Sequence, residues 1–195
     1  MNRRDSIKNI AWGLGYTFTA PAVIAALNGC QPSGEAGWMP TFLTEDQGYA
    51  IAEAAERIIP ATDTPGAQDV FVHEFIDVVL KDYTPEEDRT RFMAGLDSMM
   101  KMAQDKHSSA FGDLEAADQV AILKEMEAAD RANDKNPVEG YNDFFTQLKG
   151  MTMMGYMTSE QIGEEVLAYN PIPGPYQGCV DLQETTGGRL SSPSR

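Results

Sequence analysis

Apolar residues recur at helical spacing through most of this chain. Thr44-Glu45-Asp46-Gln47 reads as a capping box, in which the threonine hydroxyl and the glutamine side chain satisfy backbone N–H groups at a helix start. Tyr49, Ile51, Ala52, Ala55, Ile58 and Ile59 follow on one face, and Pro60 ends the run. The segment from Ala61 to Ala67 has the composition of a turn, after which Val70, Phe71, Phe75, Ile76, Val79 and Leu80 outline a second helix. Thr84-Pro85-Glu86-Glu87 reads as another capping box, with proline at the first helical position. It opens a third helix towards Lys106 that turns Phe92, Leu96 and Met99 or Met100 inward.

A fourth helix is expected over Asp113–Ala132, where Leu114, Val120, Leu123 and Met126 stand among alanines and glutamates of high helix propensity. Phe144–Met157 suggests a fifth, and Thr158-Ser159-Glu160-Gln161 opens a short sixth. Residues 171–195 carry Pro171, Pro173, Gly174, Pro175, Gly178, Gly187 and Gly188 and show no helical pattern. No stretch alternates as strands do, so the expected fold is all-α. It is an irregular helical bundle of about five to six helices with an extended Pro/Gly-rich C-terminal tail.

The first thirty residues differ in kind. A basic head holds Arg3, Arg4 and Lys8 against the single acid Asp5; an apolar stretch runs from Ile10 to Leu27, and small residues lead to Cys30. That is the layout of an export signal, and the paired arginines resemble the twin-arginine motif of proteins exported already folded. Gly13, Gly15 and Pro21 interrupt the apolar stretch, which disfavours a permanent membrane span. Leu27-Asn28-Gly29-Cys30 resembles a lipobox, making Cys30 a candidate for lipidation; the alternative is a cysteine removed with the signal. The organisation read from the sequence is therefore signal 1–30, tether 31–42, helical domain 43–170 and tail 171–195.

The 195 residues suit one compact domain with an appendage. A formal net charge of −15 repels phosphate backbones and no basic stripe offsets it, so nucleic acid is not an expected partner. With two cysteines, Cys30 and Cys179, neither a disulfide framework nor a thiolate zinc site can be built. Gly13-Leu14-Gly15 lies inside the signal with no strand before it, so no glycine-rich turn is present to cradle a dinucleotide.

The titratable groups give thin evidence of catalysis. His73 is expected at a surface or an interface, and Glu74 and Asp77, three apart, are expected on a solvated helix face. An autonomous enzyme would have to draw on His73, Glu74, Asp63 and Asp77, with or without a metal. Ser191 and Ser192 lack a neighbouring base. Eleven methionines, with Met153, Met154 and Met157 close together, suit either an irregular core or an adaptable partner surface.

Three stretches resemble the gluconate 2-dehydrogenase subunit 3 family. They are Ile58-Ile59-Pro60-Ala61-Thr62-Asp63-Thr64-Pro65-Gly66-Ala67 with Glu74-Phe75-Ile76-Asp77; Leu148-Lys149-Gly150 with Gly155-Tyr156 and Thr158-Ser159-Glu160; and Pro173-Gly174-Pro175-Tyr176 with Gly178-Cys179. The resemblance implies a helical accessory subunit, without catalytic residues or a cofactor of its own, of a membrane-associated dehydrogenase acting on sugars or polyols. It further implies a large FAD-bearing catalytic partner, often joined by a cytochrome c subunit, at the periplasmic side of a membrane. Candidate interface residues are Tyr176, Met153, Met154 and Met157. Once Cys30 is removed or acylated, Cys179 is the one remaining thiol in an oxidising compartment, which makes it a candidate for an intersubunit disulfide. A stand-alone periplasmic lipoprotein is the further alternative.

Overall fold

The computed structural model describes residues 38–135, 142–170, 172, 174–175 and 179–190. Arg3, Arg4 and Cys30, read from the sequence as parts of an export signal, and Tyr176, lie outside the described residues. Residues from Met39 onward form one compact unit. Among the described residues the secondary structure is helical, and no β-strand occurs.

Helix α1, Glu45–Ile58, begins as its sequence requires: Thr44 Oγ1 accepts from Gln47 N at 3.2 Å, and Gln47 Oε1 accepts from Thr44 N at 3.1 Å. It is the central helix of the bundle and touches the elements built from residues 72–78, 111–113, 116–135 and 144–158. Ala50, Ile51, Ala54 and Ala55 are buried on it. Small side chains on several faces let neighbouring helices approach closely without leaving voids. Gly112 uses the same device, since a Cβ there would stand 2.3 Å from the Tyr49 ring.

Helix α2, Val72–Val78, runs on into a π-helical turn, Val79–Tyr83. Thr84 does not cap the next helix as the sequence pattern suggested. Its N–H and its hydroxyl both donate to Val79 O, at 2.9 Å each, because the wide π turn leaves that carbonyl facing it. Pro85 therefore takes the N-cap position of α3, Glu86–His107, with no side-chain cap. Helix α3 buries Phe92, Leu96, Met99 and Ala103 and ends at Ser108, which adopts the left-handed conformation (φ 55°).

A 3₁₀ turn, Phe111–Asp113, takes up the start expected for the fourth helix, so α4 spans Ala116–Lys135 with Ile122 and Leu123 buried. Leu114 stays outside it. Gln119, 1% exposed, holds the 3₁₀ turn by donating from Nε2 to Phe111 O at 3.1 Å and Gly112 O at 3.4 Å. Helix α5, Phe144–Thr158, packs on α1 to α4. Gly95 lets α3 close on its first turn, where the Phe92 and Phe144 rings meet at 4.9 Å. Burial of each such side chain is worth about 1.5–3 kcal/mol. The short sixth helix expected to open at Thr158-Ser159-Glu160-Gln161 begins at residues 160–161 and runs on into a π turn, Ile162–Val166. Within the tail, read from sequence as extended, Leu182–Thr186 forms α6, capped by Asp181.

The stretch read as the end of the tether is pinned to the domain. Asp77, 1% exposed, accepts from Thr41 N (2.7 Å), Thr41 Oγ1 (2.8 Å), Phe42 N (3.1 Å) and Leu43 N (2.8 Å). The expectation that Asp77 faces solvent is thus corrected. Three consecutive amides that precede α1 have no helical partners, and a carboxylate from another helix satisfies them. The Arg89 guanidinium lies 5.3 Å from the centre of the Phe42 ring on the same segment.

Candidate partner-binding face

The loop between α1 and α2 is organised by one side chain. The Glu56 carboxylate accepts from Ala61 N at 2.8 Å and from Gln68 N at 3.0 Å, tying both ends of the loop to the last turn of α1. Gly66 is required at this point, because a Cβ there would stand 2.5 Å from both Glu56 oxygens and 2.6 Å from Ala61 N. Gly66 N donates to Asp69 Oδ2 at 2.7 Å, and Ala67 N to Ile59 O at 2.9 Å. The loop is consequently rigid while Thr62 and Asp63 stay exposed at its tip.

Phe71 ends the loop in the left-handed conformation (φ 56°), where a branched or bulky residue is strained, and its ring is 43% exposed. Phe71, Phe75 and Val78 follow at i, i+4 and i+7 on α2. Phe75 packs against Gly155 of α5, where an added Cβ would meet its ring at 2.7 Å. Exposed Phe71 and Val78 therefore border the junction of α2 with α5. Tyr156, the next residue of α5, donates its hydroxyl to Pro65 O at 2.8 Å. Tyr156→Phe is expected to cost about 1–2 kcal/mol by orphaning that carbonyl, a loss to be read from the urea midpoint.

On its outward side α5 exposes Thr146, Gly150 and two methionines. Met153 and Met154 are 51% and 59% exposed, Met157 is half-buried, and Gly150 is exposed with nothing within 4 Å of where its Cβ would be. The single charged residue of the helix, Lys149, turns to Glu127 at 3.4 Å and to the Phe145 ring at 5.8 Å. A mid-helix glycine costs about 1 kcal/mol relative to alanine, and no neighbour among the described residues requires one at position 150.

Of the titratable residues singled out from sequence, His73 and Asp77 share the inward face of α2, whereas Asp63 lies exposed on the loop. Asp77 is engaged with residues 41–43; hydrogen bonds from Leu43, Thr41 and Phe42 outweigh its burial and hold its carboxyl below the ordinary range. His73, expected at a surface or an interface, is buried within the chain at 6% exposure, its ring edge-on to Phe71 at 6.4 Å. The cause is position: on α2, residue 73 shares the inward face with Ile76 and Asp77. Burial lowers its pKa. Asp63 is exposed on the loop and Glu74 is half-buried. Among the described residues, no group of three or more His, Cys, Asp or Glu side chains could hold a metal ion, and no helix is long and apolar enough to cross a membrane.

Of the sequence stretches that carried the resemblance, the first two meet in space, through Tyr156 on Pro65 and Gly155 on Phe75. From the third, Gly174 and Pro175 are exposed, and Cys179 is an exposed free thiol. Glu56 escaped the sequence reading, and Phe71, read there as part of the apolar face of the second helix, instead stands exposed and left-handed before its first turn. Glu56 acts on amides five and twelve residues away, and left-handed geometry at a phenylalanine leaves no pattern.

Neither the curated proteins nor the solved structures contain a match to this chain. The family model described as gluconate 2-dehydrogenase subunit 3 matches residues 45–174, from the first residue of α1 through the turn at Gly174. That span includes the Glu56-organised loop, the α2–α5 junction and all five of the larger helices, and on it the chain belongs to the gluconate 2-dehydrogenase subunit 3 family.

Proposed function

We propose that this chain is a non-catalytic binding and export subunit of a flavin-dependent sugar or polyol dehydrogenase at the periplasmic side of a membrane. The observation that carries the reading is the pair of exposed methionines on α5, Met153 and Met154, presented to solvent by a chain whose formal charge is −15. Flexible thioethers beside an exposed glycine suit a surface that another polypeptide covers closely. Membership in a family of dehydrogenase subunits supplies the kind of partner. FAD belongs to the large subunit in this reading, and a cytochrome c subunit completes the electron path.

Arg3 and Arg4 direct the folded pair through the twin-arginine route, and Cys30, if acylated, anchors it. Deleting residues 1–30 is expected to leave the flavin subunit in the cytoplasm, scored by flavin and dehydrogenase activity in periplasmic and cytoplasmic fractions. Normal appearance of the partner in the periplasm would reject the escort role. The Met153→Glu/Met154→Glu variant, altered only at exposed sites, is expected to weaken co-purification of the flavin subunit at least about tenfold, since charge is desolvated poorly in an apolar contact. An undiminished yield of complex would move the interface elsewhere. In this reading the Cys179 thiol, which is free and exposed in the chain, forms a disulfide with a partner cysteine under the thiol-oxidising conditions of that compartment. A band at the summed mass on a non-reducing gel is the expected sign.

A further inference from the structure

Phe71 occupies a place that local energetics gives to other residues. It is the N-cap of α2, a position that is ordinarily extended and filled by a side chain accepting from the first turn. Here the backbone is left-handed (φ 56°, ψ 36°) and no side chain caps the helix. Ser108 is left-handed too, but at the C-terminal end of α3, where helices commonly close that way. The conformation strains any residue with a Cβ, a bulky one most, and glycine adopts it freely. The loop enforces it: Phe71 N donates to Gln68 O and Val72 N to Ala67 O, each at 3.1 Å, while Phe71 O accepts from Glu74 N at 3.0 Å and Phe75 N at 3.3 Å. What this geometry achieves is to hold an aromatic ring at the surface in one place.

The surface that continues from the ring carries no charge. Helix α2 with its cap exposes Phe71 and Val78, and α5 exposes Thr146, Gly150, Met153 and Met154. Charged residues make up 23% of the chain, yet these six positions hold none, and Glu74, Asp77 and Lys149 of the same helices are buried or half-buried. The two faces join where Phe75 covers Gly155, the neighbour of Met154. On a chain of formal charge −15, a basic partner surface would be drawn to the acidic faces, whereas this one complements a surface that is itself apolar and uncharged.

From this we infer that Phe71 is a preset anchor of the contact with the flavin-bearing subunit: its ring enters an apolar recess of that subunit, with Val78 and Met154 in the contact around it. The inference rests on the reading of the chain as a dehydrogenase subunit and extends the contact from α5 onto α2. Because the strained backbone fixes the ring before the encounter, little freedom is lost when the partner covers it.

The test uses the full chain, tagged and co-expressed with the flavin-bearing subunit, under reducing conditions so that no disulfide joins the two. The readout is the flavin that stays with the tag as the purified complex is diluted. Phe71→Gly and Phe71→Ala both remove the ring, and each is expected to raise the concentration at which half the flavin is lost by about thirtyfold, the effect of a strong anchor. Stability should separate the two variants. Glycine relieves the left-handed backbone and alanine does not, so the urea midpoint of Phe71→Gly is expected above that of Phe71→Ala. Added salt is expected to leave the wild-type complex together, since screening weakens ion pairs and not apolar contacts. Retention of flavin by both variants at wild-type concentrations, release of wild type by salt, or a lower midpoint for Phe71→Gly than for Phe71→Ala would each overturn the anchor and leave the subunit reading standing. A wild-type chain that holds no flavin-bearing subunit would remove both.

Discussion

Asp77→Ala is expected to destabilise the folded chain by about 3–5 kcal/mol, the range for breaking a buried, charge-assisted network by removal of one partner. The carboxylate is 1% exposed and receives four hydrogen bonds, three of them from consecutive backbone amides at Thr41, Phe42 and Leu43. Alanine leaves those amides beside apolar neighbours, since Leu43 belongs to the core and Phe42 packs against it. The segment that leads into the Thr44 cap would then detach first, and α1 would lose the anchor of its entry. The measurement is the urea midpoint, with an unchanged slope showing that the unfolded state is not what moved. A midpoint within the scatter of wild type would show that the amides find other partners.

The same carboxylate sets a pH dependence of definite sign. Its pKa is depressed in the folded chain, so it stabilises the fold above the unfolded-state value of about 4, and this contribution is lost as pH falls through the lower folded-state value. Wild type should therefore lose more stability than Asp77→Ala on acidification below about pH 4. Parallel stability profiles for the two proteins in that window would contradict the assignment.

Gly95→Ala is expected to be the second large effect, about 2–4 kcal/mol, although alanine is the better helix former by about 1 kcal/mol. A Cβ at position 95 would stand 2.3 Å from Phe144 Cβ and 2.5 Å from Cγ, inside any tolerable contact. The near atoms belong to the base of a fully buried ring on another helix, so a side-chain rotation cannot relieve them and α3 must move away from α5. The decisive measurement is a double-mutant cycle. Phe144→Gly, which removes the Cβ as well as the ring, should cost at least about 3–5 kcal/mol alone, but in that background Gly95→Ala should be nearly neutral because both near atoms are gone. Additive losses in the cycle would mean that strain at 95 arises from something other than the Phe144 side chain.

Much of the fold was legible before any tertiary information. The Thr44–Gln47 box forms as written, Pro60 follows the end of α1, and Phe92, Leu96 and Met99 face the core, because these features depend on contacts within one or two helical turns. The helix over Phe144–Thr158 and the absence of strands among the described residues follow from the same local period. Thr84 shows the limit of such reading. Its motif matched a capping box, yet the π turn before it offered Val79 O to the same hydroxyl, and the nearer acceptor prevailed.

The sequence by itself settled the all-α class and the family resemblance carried by its motifs. Each is a matter of short-range pattern. Tertiary structure decided which polar groups are structural: Asp77 grips amides 34–36 residues away, Glu56 closes a loop, and Tyr156 reaches Pro65 across 91 residues. A carboxylate in the sequence carries no mark of the donors it will meet, because packing brings those donors from distant parts of the chain. Only there do a solvated acid and a buried anchor become different things.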